Sequence, residues 1–246
     1  MKKYLLFGMV FFGVLWLGAC KKQEPEKSFG QETTQEADRI TIKPEEEWTI
    51  DEETAKTTIK AESCACMLQI QANNQRGSAI LWEKGEEYWS FVTAAHVVED
   101  CDLVRLMPLS QEADIEAVVH RIEGVDLAFL QVDTNRLEEC IVGLVEVSKG
   151  TEPIEHGKKI HAIEYDSSGE HSVYEGIVLE PWIYLEDFDN YMLLCECDAV
   201  PGMSGGAVFD ETDCLVGMVC GENEMGQLAV LPISVIDGEY DLFINY

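Results

Sequence analysis

Residues 191–231, YMLLCECDAVPGMSGGAVFDETDCLVGMVCGENEMGQLAVL, decide the fold class. Four short runs rich in apolar and β-favouring residues lie within them, at 191–197, 207–209, 214–220 and 227–231. Turn formers separate the runs: Pro201-Gly202 and Gly205-Gly206, then Asp210-Glu211-Thr212-Asp213, then Gly221 and Gly226. Runs this short fit strands of ~4–8 residues better than helices of ~10–12 or more. Read backward along the chain, the pattern predicts further strands at 66–71, 78–82, 88–93, 102–107, 126–132, 159–163 and 172–178. Breaks are expected at Gln75-Arg76-Gly77, Lys84-Gly85-Glu86 and Ser167-Ser168-Gly169. No amphipathic helix of convincing length interrupts the series. Many short strands over about 185 residues predict an all-β protein, an antiparallel sandwich or paired barrels.

The chain has 246 residues, with 47 Asp and Glu against 17 Lys and Arg and a net charge of −30. Nucleic acid is thereby excluded as a partner, because phosphate neutralisation needs clustered Lys and Arg. Hydrophobic residues at 46% supply a substantial core, so the acidity does not signal a disordered polymer. At the N-terminus Lys2 and Lys3 precede an apolar run over residues 4–17, followed by Gly18-Ala19-Cys20 and the polar Lys21-Lys22-Gln23. This is the layout of a secretory signal peptide. The alternative, an uncleaved membrane helix, falls short of the ~20 apolar residues a span prefers. Residues 20–61 are rich in Glu, Lys, Thr and Gln and read as a solvated acidic tether, with Ile40, Ile42, Trp48 and Ile50 as an apolar patch able to dock as an extra strand. The folded domain is expected over 62–246.

Cys20 apart, the cysteines are Cys64, Cys66, Cys101, Cys140, Cys195, Cys197, Cys214 and Cys220, an even number that suggests disulfides in an exported chain. Cys64/Cys66 and Cys195/Cys197 have a spacing that puts both thiols on one face of a strand. A four-thiolate zinc site is their alternative use, although CxC is not the usual CxxC knuckle.

Three passages carry chemistry: Thr93-Ala94-Ala95-His96-Val97-Val98, Asp126-Leu127-Ala128-Phe129-Leu130 and Pro201-Gly202-Met203-Ser204-Gly205-Gly206. A serine hydroxyl is a poor nucleophile until a base takes its proton, and the base needs a carboxylate to fix its tautomer. His96, Asp126 and Ser204 supply those roles. A tight glycine turn can also aim the N–H groups of Gly202 and Ser204 at one spot, an oxyanion hole. Asp133 is the nearest rival acid; His120, His156, His161 and His171 sit in no comparable context.

With TAAH ending at His96, DLAFL starting at Asp126 and GxSGG at 202–206, in the order His, Asp, Ser, the sequence resembles the trypsin-like serine peptidases of the chymotrypsin fold. It looks most similar to the bacterial Deg/HtrA-type proteases, which share AHVV, DLAxL and PGxSGG. Their glycine-serine strand resembles Gly77-Ser78-Ala79-Ile80, and their closing strand resembles Leu228-Ala229-Val230-Leu231-Pro232. The resemblance implies two antiparallel six-stranded β-barrels with the active site between them, a catalytic triad of His96, Asp126 and Ser204, and an oxyanion hole from Gly202 and Ser204. It implies a peptide or protein substrate and no metal or organic cofactor. The run Leu17-Gly18-Ala19-Cys20 in turn resembles the lipobox of bacterial lipoproteins, which implies cleavage before Cys20, a lipid anchor on it and an extracytoplasmic, membrane-bound enzyme.

Departures from the family pattern also inform the reading. Digestive relatives are activated when a new N-terminal amine pairs with an aspartate just before the serine. Here Met203 holds that position, so activation by that route is not expected and the hole must be preformed or set by loops. A PDZ domain, common among Deg/HtrA relatives, is not expected after Ser204. Asp198 lies six residues before Ser204, the offset at which trypsin places the acid that selects Arg or Lys; alternatively, Cys197-Asp198-Ala199 matches the TDA segment of Deg/HtrA relatives, the reading the motif favours. The strand holding Val219, Cys220 and Gly221 resembles the one that pairs with substrate and walls the pocket. The rival functional readings are a catalytically silent protease-fold lipoprotein that binds peptides or an envelope partner, and a solute-binding lipoprotein, for which the domain is short.

Overall fold

The computed structural model describes residues 65–73, 75–107, 115–137, 144–165 and 171–245. The expected signal peptide at 1–19, the tether at 20–61 with its apolar patch, the domain start at 62, Cys20, Cys64, Cys140 and the 167–169 break lie outside the described residues.

Twelve strands form two closed barrels, and every strand pairing within them is antiparallel. The first contains β1 (Met67–Ala72), β2 (Gln75–Lys84), β3 (Tyr88–Thr93), β4 (Leu103–Met107), β5 (Ile115–Arg121) and β6 (Ala128–Asp133), in the order β1-β2-β3-β6-β5-β4. The second contains β7 (Lys159–Tyr165), β8 (His171–Leu185), β9 (Asn190–Cys197), β10 (Ala207–Asp210), β11 (Leu215–Glu222) and β12 (Leu228–Pro232), in the order β10-β11-β12-β9-β8-β7. Closure leaves no unpaired sheet edge. Leu68, Ile70, Leu81, Phe91, Leu106 and Leu130, brought to one face by the strand pairing, fill the first barrel, and Ile160, Val178, Leu193, Val208 and Leu228 the second.

Several elements differ from the sequence expectation. The 75–77 break is strand, because the chain reverses earlier, at Asn73 in the left-handed region (φ 49°). Strand β5 was not expected: only Ile115 and Ala117 on it are buried, while Glu116, Val118 and Arg121 are exposed. Strand β8 runs on through Pro181, whose missing N–H is accommodated by register shifts between Val178 and Ile183. A single helical turn, α1 (Thr134–Leu137), follows β6.

The chain also carries an unexpected helix, α2 (Ile233–Ile244), whose only buried residues are Ile236 and Tyr240, one turn apart. That narrow stripe, with Gly238 inside it, does not read as an amphipathic helix in sequence. Tertiary packing makes the helix. Tyr240 meets Trp82 edge-on (6.3 Å) and Phe129 (5.2 Å), and Phe243 stacks on Phe129 (4.9 Å). Lys149 adds a cation over Trp82 (3.7 Å) and an ion pair with Asp237 (3.1 Å). The helix therefore leaves the second barrel and packs back on the first, fixing one against the other.

The disulfide expectation is corrected for Cys101, Cys195, Cys197, Cys214 and Cys220, which are free thiols. Cys195 and Cys197 follow the strand periodicity, with parallel side chains directed into the second core, an arrangement unsuited to an S–S bond. Burial pushes both thiols up to about 12, so they act as small inert core residues.

Candidate active site

The site forms in the groove where the two barrels meet. Strand β3 ends at Thr93, and a 3₁₀ turn over Ala95–Val98 presents His96 to solvent while Val97 and Val98 are buried beneath it. Asp126 stands two residues before β6, whose Ala128 pairs with Thr93. Register alone thus brings His96 and Asp126 to the same end of neighbouring strands.

Ser204 comes from the other barrel, on the turn between β9 and β10. Its sharpness depends on glycine: Gly202 has φ 110° and Gly205 φ 80°, and a Cβ on Gly205 would lie 2.0 Å from the Ser78 carbonyl oxygen. The first barrel grips the turn directly. The Ser78 N–H donates to the Ser204 carbonyl (3.0 Å), the Thr93 hydroxyl donates to the Ser78 carbonyl (2.8 Å), and the Ser78 Oγ accepts the Tyr165 N–H (3.0 Å).

These placements give an unbroken hydrogen-bonded series. Asp126 Oδ2 lies 2.8 Å from His96 Nδ1, and His96 Nε2 lies 2.8 Å from Ser204 Oγ. Asp126 Oδ1 also accepts the backbone N–H of His96 (2.9 Å). An ionised carboxylate can only accept, which assigns the imidazole proton to Nδ1 and leaves Nε2 free to accept from the serine hydroxyl. The hydrogen bond that His96 donates to Asp126 raises the His96 pKa above its ordinary value, against the opposing effect of burial. At Asp126, burial pushes the carboxyl up but is outweighed by the hydrogen bonds and charge of His96, with a smaller contribution from the Cys220 thiol, so its pKa is lowered. The rival acid, Asp133, is exposed at the end of β6 and accepts from Asn135.

Among the described residues, neither the Gly202 N–H nor the Ser204 N–H has a protein acceptor, whereas those of Met203, Gly205 and Gly206 do. Beside the turn lies a cavity of about 180 Å³, lined by Ala199, Val200, Pro201, Met203, Val219, Gly221, Glu222 and Leu228 together with Gly202 and Ser204. Of the residues assigned to substrate from sequence, Val219 and Gly221 wall this cavity. Asp198 and Cys220 do not. Asp198 is exposed outside it, because the chain turns into the cavity only from Ala199. Strand alternation turns Cys220 to the opposite face, where the buried thiol donates to the Asp126 backbone carbonyl (3.7 Å) and burial drives its pKa well above the ordinary value. Leu228 and Glu222 were not anticipated; the strand-and-turn pattern alone does not show which residues meet across β11 and β12. Behind Gly202 lies the buried Glu164, whose Oε1 accepts from the Tyr174 hydroxyl (3.0 Å).

Two closed six-stranded antiparallel barrels with such a groove between them are the chymotrypsin-like double-barrel fold. The trypsin-like peptidase domain matches residues 77–218, more than half of the chain, and the chain belongs to that family. As a member of that family it carries a trypsin-like peptidase domain. No curated protein is significantly similar to it. Among solved structures it is similar to an inactive mutant of Rv3671c from M. tuberculosis H37Rv, with a TM-score of 0.63 and 17% identity over 79% of this chain and 94% of that one. It is also similar to the serine endoprotease of Yersinia pestis, with a TM-score of 0.61 and 17% identity over 75% of this chain and 66% of that one. An HtrA-type protease, AlgW, solved with a tripeptide, gives a TM-score of 0.58 and 19% identity over 70% of this chain and 57% of that one.

Proposed function

We propose that the chain is an extracytoplasmic, lipid-anchored serine endopeptidase that hydrolyses peptide bonds through Ser204, His96 and Asp126. The observation that carries the catalytic part is the series Asp126 Oδ2, His96 Nδ1, His96 Nε2, Ser204 Oγ, with both gaps at 2.8 Å. Ser204 Oγ attacks the scissile carbonyl carbon as His96 Nε2 takes its proton. The imidazolium, steadied by Asp126, then gives that proton to the leaving amine, and water hydrolyses the acyl-enzyme by the same route in reverse. The N–H groups of Gly202 and Ser204 hold the oxyanion in both halves.

The cavity beside Ser204 takes the side chain preceding the cleaved bond. Its walls are mostly apolar, and its volume is close to that of an apolar cavity of ~150 Å³ that admits a benzene ring. Val, Leu and Met fit. An Arg or Lys side chain would bury most of its stem and charge against Val200, Met203 and Leu228; the one acid among the lining residues is Glu222, which is exposed, and Asp198 lies outside the lining. In a peptide series varied at this position, kcat/KM is expected to be at least about tenfold higher for Val or Leu than for Arg. Asp198→Asn should leave that ratio unchanged; a preference for Arg that disappears in this variant would overturn the assignment.

Membrane attachment rests on Leu17-Gly18-Ala19-Cys20. Two acyl chains on one residue give stable anchoring where one is marginal. Metabolic labelling with alkyne-palmitate is expected to mark the wild-type chain and not Cys20→Ser; equal labelling of both would remove Cys20 from this role.

A further inference from the structure

We propose that Met203 is the positioning residue of the oxyanion loop and at the same time a determinant of which side chains the primary pocket accepts, making hole and pocket one mechanical unit. The proposal rests on the serine-endopeptidase reading above.

Residues 200–203 form a turn in which both backbone groups of Val200 are engaged by one residue. The Met203 N–H donates to the Val200 carbonyl (3.2 Å), and the Val200 N–H donates to the Met203 thioether sulfur (3.2 Å). The Met203 carbonyl in turn accepts the Gly206 N–H (2.8 Å). Met203 therefore fastens the turn through its backbone and its side chain. Gly202 is held inside this fastening at φ 110°, with its own N–H left without a protein acceptor among the described residues.

The sulfur is itself held in place. Met203 is 2% exposed and belongs to the second barrel's core with Val208, Val216, Val219 and Leu228. An unbranched thioether combines apolar packing with a weak acceptor at its tip, which Leu or Ile lacks. The anchor is uncharged and supplied by the residue next to the nucleophile. It needs no new chain terminus to complete it.

Met203 also lines the 180 Å³ cavity. A substrate side chain entering that cavity meets the side chain that holds the loop. One that fits leaves the sulfur on the Val200 N–H; one that is too large displaces the sulfur and loosens the turn presenting the Gly202 N–H. Selection is then exerted on kcat, through the hole, as well as on binding.

The test compares wild type, Met203→Leu and Met203→Gln with an aliphatic peptide substrate and a fluorophosphonate. Leucine keeps the packing and removes the acceptor. Met203→Leu is expected to lower kcat and the labelling rate constant by about tenfold each while changing KM by less than about twofold. Glutamine restores an acceptor of similar reach and is expected to recover part of the labelling rate. Wild-type kcat and labelling rate in Met203→Leu, or a loss confined to KM, would overturn the proposal. Should Met203→Leu not fold, amide hydrogen exchange in the wild-type protein decides: slow exchange at Val200 supports the anchor and rapid exchange refutes it. A wild-type protein that fails to label is a failure of the endopeptidase reading instead, and the Val200 exchange rate still decides the anchor.

Discussion

Ser204→Ala is expected to lower kcat for an aliphatic peptide substrate by about 10⁶-fold, the scale on which a serine peptidase loses rate when its nucleophile is removed. The substitution deletes the one oxygen that His96 Nε2 faces at 2.8 Å and leaves the rest of the site in place. The turn should survive, because the first barrel grips it through the Ser204 carbonyl and the Ser78 N–H rather than through the side chain. Stability should change by no more than about 1 kcal/mol, since the lost hydrogen bond lies in a solvent-accessible groove. His96→Ala should cost nearly as much alone, and the double variant little more, because the two residues act as a unit. The check is steady-state hydrolysis together with thermal unfolding. More than a hundredth of wild-type kcat in a folded Ser204→Ala protein would contradict the assigned nucleophile.

Asp126→Asn is expected to lower kcat by about 10⁴-fold. The asparagine oxygen can still accept the His96 backbone N–H, but its amide nitrogen then donates to the imidazole Nδ1. The ring proton moves to Nε2, which can no longer accept from Ser204. The pH profile of kcat/KM supplies a second signature. His96 works as a base only when neutral, and Asp126 raises its pKa, so the acidic limb of the wild-type profile lies above the ordinary histidine value of 6.5. Removing the carboxylate removes the main cause of that shift and moves the limb down. The stability signs follow the same pair. The raised His96 pKa contributes stability below 6.5 that is lost as pH rises through the folded-state value. The lowered Asp126 pKa contributes stability above the ordinary carboxylate range that is lost as pH falls through its folded-state value. An Asp126→Asn limb at the wild-type pH would contradict the role given to Asp126.

Much of this architecture is legible in the amino-acid sequence because strand periodicity and turn chemistry are local. The second-barrel strands β9 to β12 follow from short apolar runs between Gly, Pro and Asp clusters. The three site motifs stand out because each joins a chemical group to a strand end. What escapes local reading is settled by contacts made far along the chain. Strand β5 shows an acidic and basic outer face and contributes only Ile115 and Ala117 to the core. Helix α2 exists because Tyr240 and Phe243 find Trp82 and Phe129 on the other barrel. The offset from Ser204 suggested Asp198 for the pocket, yet the chain places Asp198 outside it and brings Leu228 from a different strand. The pocket strand places Cys220 near the triad, as its sequence context implies, but strand alternation turns its thiol to the Asp126 carbonyl and away from the cavity. The cysteines suggested disulfides by their number, while burial makes Cys195 and Cys197 core residues.

The most direct test of the central claim is mass spectrometry of the folded wild-type domain after reaction with a fluorophosphonate. An activated serine beside a formed oxyanion hole should gain a single phosphonyl adduct, located to Ser204 by peptide mapping and absent from Ser204→Ala. A folded wild-type domain that gains no adduct, or gains it at another residue, would contradict the account.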